Sequence, residues 1–133
     1  MACFALGLRI ELQKGRGALL IPLFQLLSAC AVIGDGIFVH EPMHMACDLV
    51  AFNATLVTLF LFAWRFWNDP RWKGWGSYSI ATAILMMGFL AAFGISNHQG
   101  GPAGAFEKLA VTTRTLWSVL LVGRLLRVGR LSP

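Results

Sequence analysis

Residues 40–44 read His-Glu-Pro-Met-His, formally the H-E-x-x-H pattern of zinc-dependent proteases. That pattern works on a helix, which sets two imidazoles four residues apart on one face, with the glutamate beside a metal-bound water. Pro42 undermines it. A proline disfavours helical geometry at the residue before it and belongs in a first helical turn, so a helix here begins at Pro42 and leaves His40 and Glu41 outside. A looser zinc site is a separate matter. His44 and Asp48 are four residues apart and share a helical face, and Asp35, Glu41 or His98 would add the nitrogen or oxygen ligand that zinc accepts. The sequence shows no complete ligand set. The expectation is therefore of wet polar residues without a cofactor. Zinc is the alternative, with His44, Asp48, Glu41 and His98 as its candidate ligands.

A second charged constellation is Arg114 with Asp48. What makes it informative is the kind of chain that carries it. The 133 residues are 57% hydrophobic and only 13% charged, with a mean hydropathy of +0.68. Soluble domains run near 45–50% apolar and about 25% charged, and a disordered chain is excluded because low hydrophobicity is its signature. Three scattered cysteines exclude a disulfide scaffold; Cys30 and Cys47 read as small hydrophobes. A membrane protein remains. Four apolar runs, 17–34, 43–64, 78–96 and 105–126, approach or exceed the roughly 20 residues that cross a bilayer as a helix. The expected architecture is all-α: one polytopic transmembrane bundle over residues 1–133, with short connections and no room for a soluble domain. Arg114 interrupts the last span, and a central arginine costs about 2.5–3.5 kcal/mol on insertion scales. Asp48 is the one acidic side chain placed inside another span, so a structural ion pair between Asp48 and Arg114 is expected. Gly88 and Ala92 form a small-xxx-small pair on the third span, a packing signal.

Basic residues cluster at Arg9, Lys14 and Arg16, at Arg65, Arg71 and Lys73, and at Arg124, Arg127 and Arg130. The connections 35–44 and 97–107 contain none. Under the positive-inside rule this alternation puts both ends in the cytoplasm, in the cell's inner membrane. The net charge of +5 then serves topology and attraction to anionic headgroups on the cytoplasmic side. Nucleic acid is not an expected partner, since the basic residues form three clusters beside apolar spans rather than one stripe. The connection between the second and third spans holds Trp64, Trp67, Trp72, Trp75 and Tyr78 among Arg65, Arg71 and Lys73, with Asn68-Asp69-Pro70 as a turn signal. Amphipathic rings and long basic side chains settle at headgroup level, so all eight read as lipid-interface anchors. Met1 to Leu8 is apolar yet too short to span, and lacks the basic start of a signal peptide. It reads equally as the tail of a missing earlier span or as an interfacial stub.

The order of several short elements resembles the prokaryotic membrane family known as domain of unknown function 998. The likeness runs from about Leu6 to Arg127. It rests on Gly36-Ile37-Phe38, Glu41-Pro42 and His44, on Asp69-Pro70-Arg71-Trp72 with Tyr78-Ser79, and on Gly104, Phe106, Lys108 and Trp117. Members commonly carry Asp at the position of Glu41 and Pro at that of Val39, with a longer stretch before the histidine, so the loop here is shortened. The resemblance implies about six spans, which favours Met1 to Leu8 as the tail of an earlier one. It implies no activity. Glu41 and His44 carry over as family-like polar positions without an assigned role.

Three functions fit such a chain. The expected one is a non-catalytic polytopic membrane protein whose bundle and lipid contacts are the working parts, alone or as a homo-oligomer. The second is a membrane-embedded metal-dependent hydrolase using His44, Asp48 and Glu41. The third is a small oligomeric transporter. No acidic residue lies near the midplane of a span, where coupling ions bind, and no nucleophile–base pair stands out. The topology is directly testable by cysteine labelling from outside intact cells. Engineered cysteines at Val39 and Gln99 should react and those at Gly74 and Ser132 should not; labelling at Gly74 would reverse the orientation.

Overall fold

The structure is a computed structural model, and it describes residues 18–38 and 42–129. The readings made for Met1 to Leu8, for the first basic cluster and for His40 and Glu41 lie outside those residues. Four long helices make up the described chain: α1 (Leu20–Ile37), α2 (Met43–Phe66), α3 (Trp75–His98) and α4 (Ala103–Gly129). No strand occurs among the described residues. Each helix is long and apolar enough to cross a membrane, which makes the chain a multi-pass helical membrane protein.

Where the helices start follows from the prolines. Pro22 sits in the first turn of α1, Pro42 caps α2, and Pro102 immediately precedes α4. At these positions the missing N–H would have had no helical partner, and the fixed φ favours the first turn. Pro70 likewise opens a short 3-10 turn, Pro70–Trp72, between α2 and α3. The helices also reach further than the apolar runs. α1 continues through Asp35-Gly36-Ile37, past the end of its apolar run at Gly34, and α3 begins three residues before Tyr78. Hydropathy falls at headgroup level, but the backbone hydrogen-bond ladder need not stop there. Asp35 is therefore a helical residue in the last turn of α1 rather than a loop residue.

Packing is sequential, α1 on α2, α2 on α3 and α3 on α4. The α1–α2 seam is tied by Ser28, whose Oγ donates to the Ala51 carbonyl at 3.0 Å and lies 2.9 Å from Thr55 Oγ1. At the start of α3 a Cβ on Gly76 would lie 2.9 Å from the Trp67 ring and 3.3 Å from the Ala63 carbonyl oxygen, so only glycine admits this approach to α2. Gly88 does not serve that purpose: a Cβ there meets nothing within 4 Å.

The core is aromatic. Phe62 lies edge-on to Trp117 at 5.5 Å and to Trp72 at 5.4 Å, and Phe66 packs on Trp72 at 4.7 Å. Such tilted and edge contacts suit the ring quadrupoles and add roughly 0.5–1.5 kcal/mol each beyond burial. Trp117 is fully buried, and its indole N–H donates to Ser79 Oγ at 3.0 Å, joining α4 to α3. Leucine, isoleucine and valine fill the outward faces; Ile84 is 59% exposed and Val119 62%. In water such faces would be a liability, and in lipid they are the solvent-matched surface.

Trp117→Ala should lower unfolding stability by about 3 kcal/mol through the cavity it leaves. Ser79→Ala should cost only about 0.6 kcal/mol, the typical worth of a membrane hydrogen bond. Reversible unfolding in mixed detergent–lipid micelles measures both, and a Trp117→Ala midpoint equal to that of the native chain would contradict this core.

Candidate functional site

Polar chemistry gathers at the two ends of the bundle. The acidic side chains of the described helices, Asp35, Asp48 and Glu107, all sit at one end, that of the α1–α2 and α3–α4 connections. Arg65, Arg71, Lys73, Arg124 and Arg127 sit at the other.

At the acidic end, α1 supplies Asp35 from its last turn, while α2 supplies His44 from its first turn and Asp48 one turn later. His44 lies between the two carboxylates. Its Nδ1 is 2.7 Å from Asp35 Oδ1 and its Nε2 is 3.9 Å from Asp48 Oδ2. Nδ1 also lies 3.3 Å from the Asp35 backbone carbonyl. Asp35 Oδ1 is buried and accepts no hydrogen bond, its close neighbour being the imidazole. Gly34 eases the approach of α1 to α2 here, since a Cβ at that position would come within 2.9 Å of Cys47 Sγ and make the thiol turn aside. One ligand atom from each of Asp35, His44 and Asp48 lies within 4.8 Å of the other two. Of the sequence candidates, His44 and Asp48 thus come together as their spacing implies, and Asp35 is the third member. His98 is exposed at the far end of α3, outside this cluster, and Glu41 lies outside the described residues.

Arg114 is buried in α4, 6% exposed, and its Nε has no hydrogen-bond partner. Asp48 attracts it through space. Yet the ion pairs within 4.0 Å include His44–Asp35, His44–Asp48 and Arg71–Asp69. The direct Asp48–Arg114 contact expected from the sequence is not among them. α4 begins two residues earlier than its apolar run. That sets Arg114 about 16 Å along its helix against about 7 Å for Asp48 along α2, at 1.5 Å per residue.

The tryptophan-rich connection divides its rings. Trp64 and Trp67 are exposed, Trp75 and Tyr78 half-buried, and Trp72 is 5% exposed and part of the aromatic core rather than a ring at the surface. Asp69 caps the 3-10 turn, accepting from the Arg71 backbone N–H at 2.9 Å and from Arg71 Nη2 at 2.9 Å. The Arg71 side chain holds the Asp69 carboxyl below the ordinary carboxylate range. Whatever stability this turn contributes is thus complete above the ordinary range and is lost as pH falls through the depressed value. Arg65 lies over the Phe66 ring at 5.3 Å. Arg124 donates from Nη2 to the Arg71 carbonyl, fastening α4 to the connection. Beside that contact a cleft of about 640 Å³ opens between α3 and α4, lined by Lys73, Arg124 and Arg127 over Trp75, Tyr78 and Val119. The sequence marks Lys73 as an interface anchor and Arg124 and Arg127 as part of a basic cluster on the cytoplasmic side, not the three as one surface. The three-residue step from Arg124 to Arg127, which puts both on one helical face, was the one hint of a shared surface.

The family model described as protein of unknown function (DUF998) matches residues 1–124. No curated protein and no solved structure matches the chain.

The separation of Asp48 from Arg114 sets the size of their coupling. Asp48→Asn and Arg114→Gln should each lower unfolding stability in bicelles, and the double variant should recover about 0.5–1 kcal/mol of the summed loss. Strict additivity would mean that the two charges act independently.

Proposed function

Because the chain belongs to the DUF998 family of proteins of unknown function, we propose a reading that rests on its own surfaces: it is a non-catalytic multi-pass protein of the cytoplasmic membrane that works through its lipid contacts. Both ends face the cytoplasm, and the tryptophan-rich end holds acidic phospholipid headgroups. The observation that carries this reading is the cleft at that end. It unites Lys73 with Arg124 and Arg127, about fifty residues away in sequence, above an apolar and aromatic wall. Basic pockets between membrane helices on the cytoplasmic side suit anionic headgroups, and each basic side chain near the surface is worth about 1 kcal/mol. The apolar wall formed by Val119 and its neighbours suits an acyl chain below the headgroup. Half-buried Trp75 and Tyr78 lie where amphipathic rings border the headgroup layer. Transport gains no support, because every acidic side chain of the described helices lies near a helix end.

The test is lipid retention. Purified protein should keep phosphatidylglycerol or cardiolipin in preference to phosphatidylcholine, read by native mass spectrometry. Lys73→Gln with Arg127→Gln should weaken that retention about tenfold or more, given about 1 kcal/mol per charge. Equal retention by the double variant, or no preference for acidic lipid, would contradict the reading. Arg124 is left intact because it also fastens α4 to the connection.

A further inference from the structure

The cluster at the opposite end has a different chemistry. We infer that Asp35, His44 and Asp48 form a binding site for one zinc-like divalent transition-metal ion, which clamps the end of α1 to the start of α2. One donor atom from each residue lies within 4.8 Å of the other two. Ligands about 2.0–2.1 Å from a tetrahedral zinc stand roughly 3.4 Å apart. An imidazole gives one nitrogen to one ion: with Nε2 as the donor, the 3.9 Å to Asp48 Oδ2 closes by about half an ångström, and Asp35 turns its carboxylate to the ion from Nδ1, where it lies at 2.7 Å.

Two further observations point to a cation. The first is electrostatic: Asp35 and Asp48 repel each other across a single imidazole, and a divalent ion would neutralise both. The second is the buried Asp35 Oδ1, which lies beside the ring yet accepts no hydrogen bond. Binding an ion would release it from its 2.7 Å contact with Nδ1. The three side chains are about a third exposed, so an ion can enter from water and keep a water in the fourth position. The donor set also selects the ion. One imidazole with two carboxylates suits first-row metals such as zinc. Calcium takes six to eight oxygens, and magnesium demands an octahedral oxygen shell. The clamp bridges residues 38–42, the connection between the two helices, and it uses the close approach that Gly34 permits.

The experiment uses the full chain purified without a polyhistidine tag, stripped with chelator, reconstituted in lipid nanodiscs and titrated with Zn²⁺ by calorimetry. The expected result is one saturable site, with little heat from Mg²⁺ at the same concentration and a rise in Tm on zinc addition. Asp35→Asn, His44→Ala and Asp48→Asn should each weaken zinc binding at least tenfold. Where a variant misfolds by size-exclusion profile, Asp48→Glu, which keeps the donor and lengthens its reach, should retain binding. No saturable zinc site in the native chain would overturn the inference. Undiminished binding in all three variants would overturn it too, and so would loss with His44→Ala alone, which would leave a lone histidine. None of these outcomes touches the lipid cleft, so this inference and the proposed function fail separately.

Discussion

A bilayer core offers no hydrogen bonds, and that single constraint places nearly every polar group described in this chain. Backbone amides and carbonyls satisfy themselves within helices. Hydroxyls that fall inside spans turn back on the same helix: Thr58 donates to the Ala54 carbonyl and Thr82 to that of Tyr78. Others stitch neighbouring helices, as Ser28 does between α1 and α2 and as the Trp117–Ser79 bond does between α4 and α3. Formal charge is expelled to the ends. Arg114 is the exception, and it lies on the side of the bundle where Asp48 can attract it.

From that expulsion follows the polarity of the molecule. One end collects carboxylates and the other collects cations and aromatic rings, so the ends meet different environments and have different chemistry. The cationic end is also the more cross-braced one. Trp72 and Phe66 extend the core out to it, Asp69 and Arg71 set the turn, and Arg124 fastens the last helix to that turn. A cleft with a fixed wall is better preorganised for a ligand than a mobile loop. The acidic end has no such aromatic lock. There α1 and α2 meet through the Gly34–Cys47 approach and through His44, which stands between two carboxylates that repel each other.

The four helices were legible in the sequence because charge-free runs of this length admit few other structures, and the family resemblance agrees with the family match. Their exact ends were less legible. The apolar run stops at Gly34 and leaves Asp35 in the connection, and only the helical backbone of α1 reveals that Asp35 sits in its last turn beside His44. The His44–Asp48 spacing could be read directly, since four residues on a helix define a face. Which third residue joined them could not, because that depends on how α1 packs on α2. The tryptophan belt shows the same divide. Composition marks the rings as amphipathic, but the 3-10 turn at Pro70 determines that Trp72 turns inward while Trp64 and Trp67 stay outside. Arg114 is flagged by its cost in a span, but how near Asp48 comes to it depends on how the helices pack, which no spacing in the sequence gives.

The central claim is that the exposed apolar faces of these helices contact lipid, and spin labels test it most directly. Labels at Leu27, Ile84 and Leu116, exposed residues near the middle of α1, α3 and α4, should collide frequently with oxygen, which concentrates in hydrocarbon, and rarely with a water-soluble nickel chelate. A label at Gln99, in the connection after α3, should show the reverse. A nickel chelate that reaches Ile84 as freely as it reaches Gln99 would contradict the account.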